Sequence, residues 1–247
     1  MTVVVSAGTT GPDPFEHEVV HFGCEFCSDD YQTVFGTFYA YLKAERPEAA
    51  VQGYLERAGF ASADQLAARG EYYRPAADVW RAFARTLLRH DAEHGRPVSG
   101  REPSSAERAK WAEKGLGAGA EALPSVLART RIACFNAALE APFLGSSMRA
   151  AGFPLDFESS PMTSSLCGLL LDYTTGLRYL GFHREARFEF EQTLAFFGVA
   201  CKRPTDPLER AGSVRRAYTN HFTSLKAIYE SAAKWEGSRG HGRRRAR

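Results

Sequence analysis

Apolar side chains along this 247-residue chain recur mostly at helical spacing, so a succession of helices is predicted. Between Phe15 and Phe60 the positions Phe22, Phe26, Tyr31, Phe35, Phe38, Tyr39 and Leu42 form an aromatic helical pattern. Arg46-Pro47 breaks it, because the residue before proline avoids the helical region. Val51, Tyr54 and Leu55 begin a second piece that stops at Gly59. Ser62 with Gln65 makes a capping box for a short helix ending at Gly70. After Pro75 a clearer helix carries Val79, Phe83 and Leu87 on one face and Arg81, Arg85 and Arg89 on another. Ser104 with Glu107 caps the next, which contains Trp111, and Val126, Leu127, Ile132, Phe135 and Leu139 mark a helix running into Pro142. The apolar run from Leu166 to Leu171 leads to an aromatic-basic segment at 184–191. Asp206 as N-cap, Pro207 at the first helical position and Glu209 open a last long helix striped by Val214, Tyr218, Phe222, Leu225 and Tyr229.

The predicted fold class is therefore mainly α: a single multi-helix body with a flexible N-terminal arm and a disordered basic C-terminal tail. The arm is 1–14, where Val3-Val4-Val5 leaves room for one short strand. An N-terminal helical part, 15–100, and a C-terminal one, 101–236, belong to the same body, and the tail is 237–247. Ile occurs only at 132 and 228, while Ala, Leu and Phe abound, which favours helix over sheet.

The net charge of +2 excludes a strongly basic global field, but Arg239, Arg243, Arg244, Arg245 and Arg247 concentrate positive charge at the end. Five Cys without a regular framework fit a reducing compartment. No signal-peptide pattern and no membrane-length apolar window are present, so a soluble cytoplasmic protein without membrane contact is expected.

His17-Glu18-Val19-Val20-His21 matches H-E-x-x-H, the zinc-protease pattern, but only sixteen residues precede it, too few for the strands those folds place before it. His17, His21, Cys24 and Cys27 on one helical stripe are either a structural zinc set or a half-buried packing face. His90 and His94 sit at a helix end, and Ser28-Asp29-Asp30 lacks a second acidic motif. With no Gly-rich phosphate loop and no nucleophile elbow, no catalytic residue, metal or cofactor is assigned and no enzyme is expected.

Cations interleave with flat side chains at Arg178-Tyr179, Phe182-His183-Arg184 and Arg187-Phe188, a pattern suited to single-stranded nucleic acid. The RNA-binding candidates are Arg184, Arg187, Arg203, Arg210, Arg215 and Arg216, with Arg243, Arg244 and Arg245 of the tail as phosphate tethers. Arg210, Arg215 and Arg216 lie in the first turns of a helix, where the macrodipole disfavours cations, so a compensating anion is expected nearby.

Gly181-Phe182, Arg187-Phe188, Arg203-Pro204-Thr205 and Glu209-Arg210-x-Gly212 follow in an order that resembles the C-terminal half of coat proteins of flexuous filamentous plant and fungal RNA viruses. Arg131 to Asn136, with Trp111 and Gly115-Leu116 upstream, is a second point of similarity. The resemblance implies a helical capsid subunit, a nucleoprotein that self-assembles into an oligomer or filament around single-stranded RNA. The alternative is a helical protein-interaction adaptor, with or without a zinc staple at His17, His21, Cys24 and Cys27.

Overall fold

The first residues of the chain form the middle of a sheet. In the computed structural model, which describes residues 1–94, 123–153, 163–179 and 189–243, β1 (Thr2–Thr9) pairs antiparallel with β2 (Val19–Cys27), and β2 with β3 (Val34–Tyr41). On its other side β1 pairs parallel with β4 (Arg131–Cys134), which pairs parallel with β5 (Thr163–Ser165). The order is β3-β2-β1-β4-β5.

The helices are α1 (Gln52–Arg57), α2 (Ala63–Gly70), α3 (Ala76–His94), α4 (Leu123–Arg129), α5 (Ala137–Ala150), α6 (Leu166–Tyr179), α7 (Phe190–Phe196) and α8 (Pro207–Arg243). They cover both faces of the sheet. Val3 and Val5 of β1 join Phe22, Cys24 and Phe26 of β2 in a core closed by α3 and α5. The opposite face, with Val4 and Cys27, is covered by α6, α7 and α8. This double burial explains the run Val3-Val4-Val5: a central strand is apolar on both sides.

The mainly α expectation is thus corrected to an α/β fold. The supposed arm is the central strand, and the aromatic stretch from Phe22 to Tyr41 is two strands. Positions 22 and 26 are four apart, an interval that a helix and a strand both place on one face; Phe22, Cys24 and Phe26 in fact alternate into one core. Nor does one helix run from Val126 to Leu139, because β4 lies inside that span. Helix α8 continues through 237–243, residues assigned to a disordered tail.

Other local signals hold. Ser62 Oγ accepts the Gln65 N–H at 3.2 Å, capping α2. Val79, Phe83 and Leu87 are buried along α3, where Phe83 meets Phe22 edge-on at 5.1 Å and Trp80 donates to Ser147 Oγ of α5 at 2.9 Å. Each such ring buried contributes roughly 2–3 kcal/mol. Asp206 Oδ1 accepts from the N–H groups of Leu208 and Glu209 at the start of α8. Of the stripe along α8, Val214 and Tyr218 are buried, while Leu225 and Tyr229 are exposed.

Candidate functional site at the carboxyl ends of β1 and β4

A parallel sheet opens a crevice where neighbouring strands send their connections to opposite sides. Here the chain leaves β1 toward β2, whereas β4, on the other flank, leads into α5. Strand β1 also outruns its parallel neighbour: pairing with β4 ends at Val4↔Ala133, but pairing with β2 continues to Thr9. Ser6, Ala7 and Gly8 therefore carry one backbone edge that no strand covers among the described residues.

Glu140, in the first turns of α5, closes that edge. Its Oε2 accepts the Ala7 N–H at 3.1 Å and its Oε1 the Asn136 N–H at 3.2 Å. The residue is 6% exposed, and burial pushes its pKa up to about 7, with Arg210 and the backbone N–H donors pulling the other way.

Ser6 and Gly8 point to the α8 side of the sheet, as do their β2 partners Gly23 and His21. Gly8 has no side chain, and a Cβ there would lie 1.8 Å from His21 Nε2, so the imidazole fills the place of a residue-8 side chain. Burial first, and Arg210 second, lower the His21 pKa to about 3, which leaves the ring neutral; its Nδ1 has no hydrogen-bond partner among the described residues. Gly23 lets the helix approach: a Cβ would come within 2.5 Å of the Pro207 carbonyl carbon.

That close approach delivers Arg210. Its Nε donates to Ser6 Oγ at 3.1 Å, an Nη donates to the Pro204 carbonyl at 3.2 Å, and its Cζ lies 3.9 Å from the centre of the Phe190 ring. Glu140 acts on Arg210 electrostatically, although the two make no direct ion pair among the described residues.

The other predicted Arg residues divide clearly. Arg215 Nε donates to Glu25 Oε2 at 2.6 Å and its Nη to the Tyr31 carbonyl at 3.0 Å, tying α8 to β2. Arg216 pairs with Glu209 at 3.1 Å, and Arg203 lies 3.4 Å from Asp206. Of the group from 203 to 216, Arg210 is the one held against Ser6 beside Glu140. Arg184, Arg187, Arg244 and Arg245 lie outside the described residues, and Arg243 ends α8.

The four potential zinc ligands are not brought together. They fall on the segment before β2 and on β2 itself, with Cys24 in the core toward α3 and Cys27 in the core toward α8. His90, Glu93 and His94 do converge at the end of α3, their donor atoms within 4.8 Å of one another. Sequence reasoning missed Glu140, Ser6 and Gly8, since their meeting depends on the sheet.

The described residues of the crevice do not fit a divalent cation. Mg²⁺ and similar hard ions take several oxygen ligands, carboxylates foremost. The one carboxylate bonded to the β1 edge among the described residues is Glu140, both of whose oxygens accept backbone N–H groups, and the Arg210 guanidinium acts on it at longer range. A cation there would meet repulsion from Arg210.

No protein-family model matches the sequence, and no curated protein matches it. Solved structures do match the fold. Cell-death related nuclease 4 (CRN-4) superposes with a TM-score of 0.58 at 9% identity, covering 90% of this chain and 64% of that one. E. coli exonuclease I in its complex with single-stranded DNA gives 0.58 at 13% identity, covering 93% and 42%. The nuclease domain of 3'hExo, a DEDDh family member bound to rAMP, gives 0.54 at 10% identity, covering 90% and 92%. The chain thus spans under two thirds of the first two and nearly all of the third, a nuclease domain alone.

The class defined is the exonuclease α/β fold. It overturns the resemblance to filamentous-virus coat proteins and the capsid function drawn from it. It also overturns the expectation of a non-enzymatic protein, which rested on missing local motifs: the solved structures that share this fold are nucleases.

Proposed function

We propose that this protein acts in nucleic-acid processing, taking the end of a single strand into the crevice beyond β1 and β4. The observation that carries this is Arg210, a guanidinium fixed by three contacts at the switch point of an exonuclease fold. Proteins of similar fold supply the ligand class: exonuclease I in complex with a dT13 oligonucleotide, and a 3'-exonuclease with 3'-end specific recognition of a histone mRNA stem-loop. A phosphodiester brings the negative charge that Arg210 is placed to meet. Because the described donors do not fit a divalent cation, no hydrolytic step is derived through one.

Fluorescence anisotropy with a labelled single-stranded 12-mer tests the proposal. A linear unlabelled strand should compete, a circular single strand should compete poorly, and raising salt should weaken binding. Equal competition by the circle would refute recognition of an end, and no binding of any strand would refute the nucleic-acid ligand.

A further inference from the structure

Sites that hold divalent cations and sites that hold phosphate directly need opposite charge. The first gather carboxylates around the ion; the second present N–H donors on a cation, best of all the planar fork of arginine. At the crevice of this protein the second kind of group is built in. Residue 6 is a serine whose hydroxyl accepts from Arg210, residue 8 has no side chain, and the imidazole in its place is neutral.

We propose that this centre engages phosphate directly through the Arg210 guanidinium, without a divalent cation, and that the ionised form of Glu140 balances Arg210 until phosphate arrives. The ligand class, a phosphodiester of a nucleic-acid strand or the phosphate of a free mononucleotide, rests on the nucleic-acid reading above. The direct contact to phosphate does not.

Three features support it. Arg210 is pre-organised: Ser6, the Pro204 carbonyl and the Phe190 ring fix the plane of the guanidinium, so little rotamer freedom is lost on binding. Its surroundings are desolvated, which strengthens a charge-assisted hydrogen bond to an incoming anion. Lastly, the buried His21 Nδ1 has no partner among the described residues, so the ring that fills the place of a residue-8 side chain carries an unused polar group.

The test measures binding of a dinucleoside monophosphate and of adenosine monophosphate by calorimetry, first in EDTA and then with Mn²⁺. Wild-type protein should bind at least one of them in EDTA, with Mn²⁺ adding nothing. Arg210→Gln should weaken binding about tenfold or more, the worth of a charged hydrogen bond. Arg210→Lys, which keeps the charge without the fork, should fall between, and Glu140→Gln, which removes the competing anion, should bind at least as well as wild type. Binding only with Mn²⁺, no binding of either phosphate, or an Arg210→Gln protein that is folded by circular dichroism and binds normally would overturn the proposal. Should the mononucleotide bind through Arg210 while no 12-mer does, the phosphate centre stands and the nucleic-acid reading fails.

Discussion

Replacing Glu140 by glutamine probes the centre through stability alone, without any ligand. Burial raises the carboxyl from an ordinary 4.5 to about 7 in the folded protein. A carboxyl whose folded pKa is raised holds its proton more tightly folded than unfolded. Its stabilising contribution is complete below about pH 4.5 and is lost as pH rises through about 7. At about 1.4 kcal/mol per pH unit, the gap between the two values comes to roughly 3 kcal/mol. His21 runs the other way: its pKa falls from 6.5 to about 3, so its contribution is present above pH 6.5 and is lost on acidification. The two partly cancel in the wild-type profile, so the difference between proteins is the quantity to follow. The substituted amide has one acceptor oxygen for the two N–H groups of Ala7 and Asn136, a loss of about 1 kcal/mol that does not depend on pH. Urea denaturation of both proteins at pH 5 and pH 8 should therefore show the Glu140→Gln variant gaining on wild type by roughly 2–3 kcal/mol as pH rises. A difference that stays flat would mean that Glu140 is ionised throughout and the centre is not desolvated.

Other substitutions address how the crevice is built. Gly8→Ala must push the His21 ring aside, since the added Cβ falls 1.8 Å from Nε2, and should cost about 1–3 kcal/mol in a thermal melt. Combining it with His21→Ala should recover part of that loss, a coupling that two independent sites would not show. Asp206→Ala removes the cap from Leu208 and Glu209 and should lower stability by about 1 kcal/mol. Arg215→Met leaves the half-buried Glu25 without its partner at 2.6 Å and should cost roughly 3 kcal/mol, with the nucleotide affinity of the crevice unchanged.

Much of the local structure was legible in the sequence: the caps at Ser62 and Asp206, the buried face of α3, and the oddity of Arg at the start of a helix. The sheet was not. Scarcity of Ile argued against strands, yet β1 to β3 are built from Val, Phe, Tyr and Thr. Phe22 and Phe26 satisfied a helical interval that alternation also satisfies, and the short Val3-Val4-Val5 run gave no period at all. The centre was hidden for a different reason. Ser6, His21, Glu140 and Arg210 come from four separate elements, and only strand pairing and the packing of α8 on β1 and β2 bring them together. Gly8 carried no chemical signal as a residue; its meaning lies in the imidazole that occupies its space.

The claim that a strand end lies beside Arg210 is tested most directly by photocrosslinking from a 4-thiothymidine at the 3' terminus of a single-stranded 12-mer, with adducts mapped by mass spectrometry. Crosslinks should fall in the peptides containing residues 6–8, 135–140 and 203–210, and Arg210→Gln should deplete them. Adducts confined to the exposed length of α8 from Phe222 to Tyr229, undiminished in that variant, would contradict it.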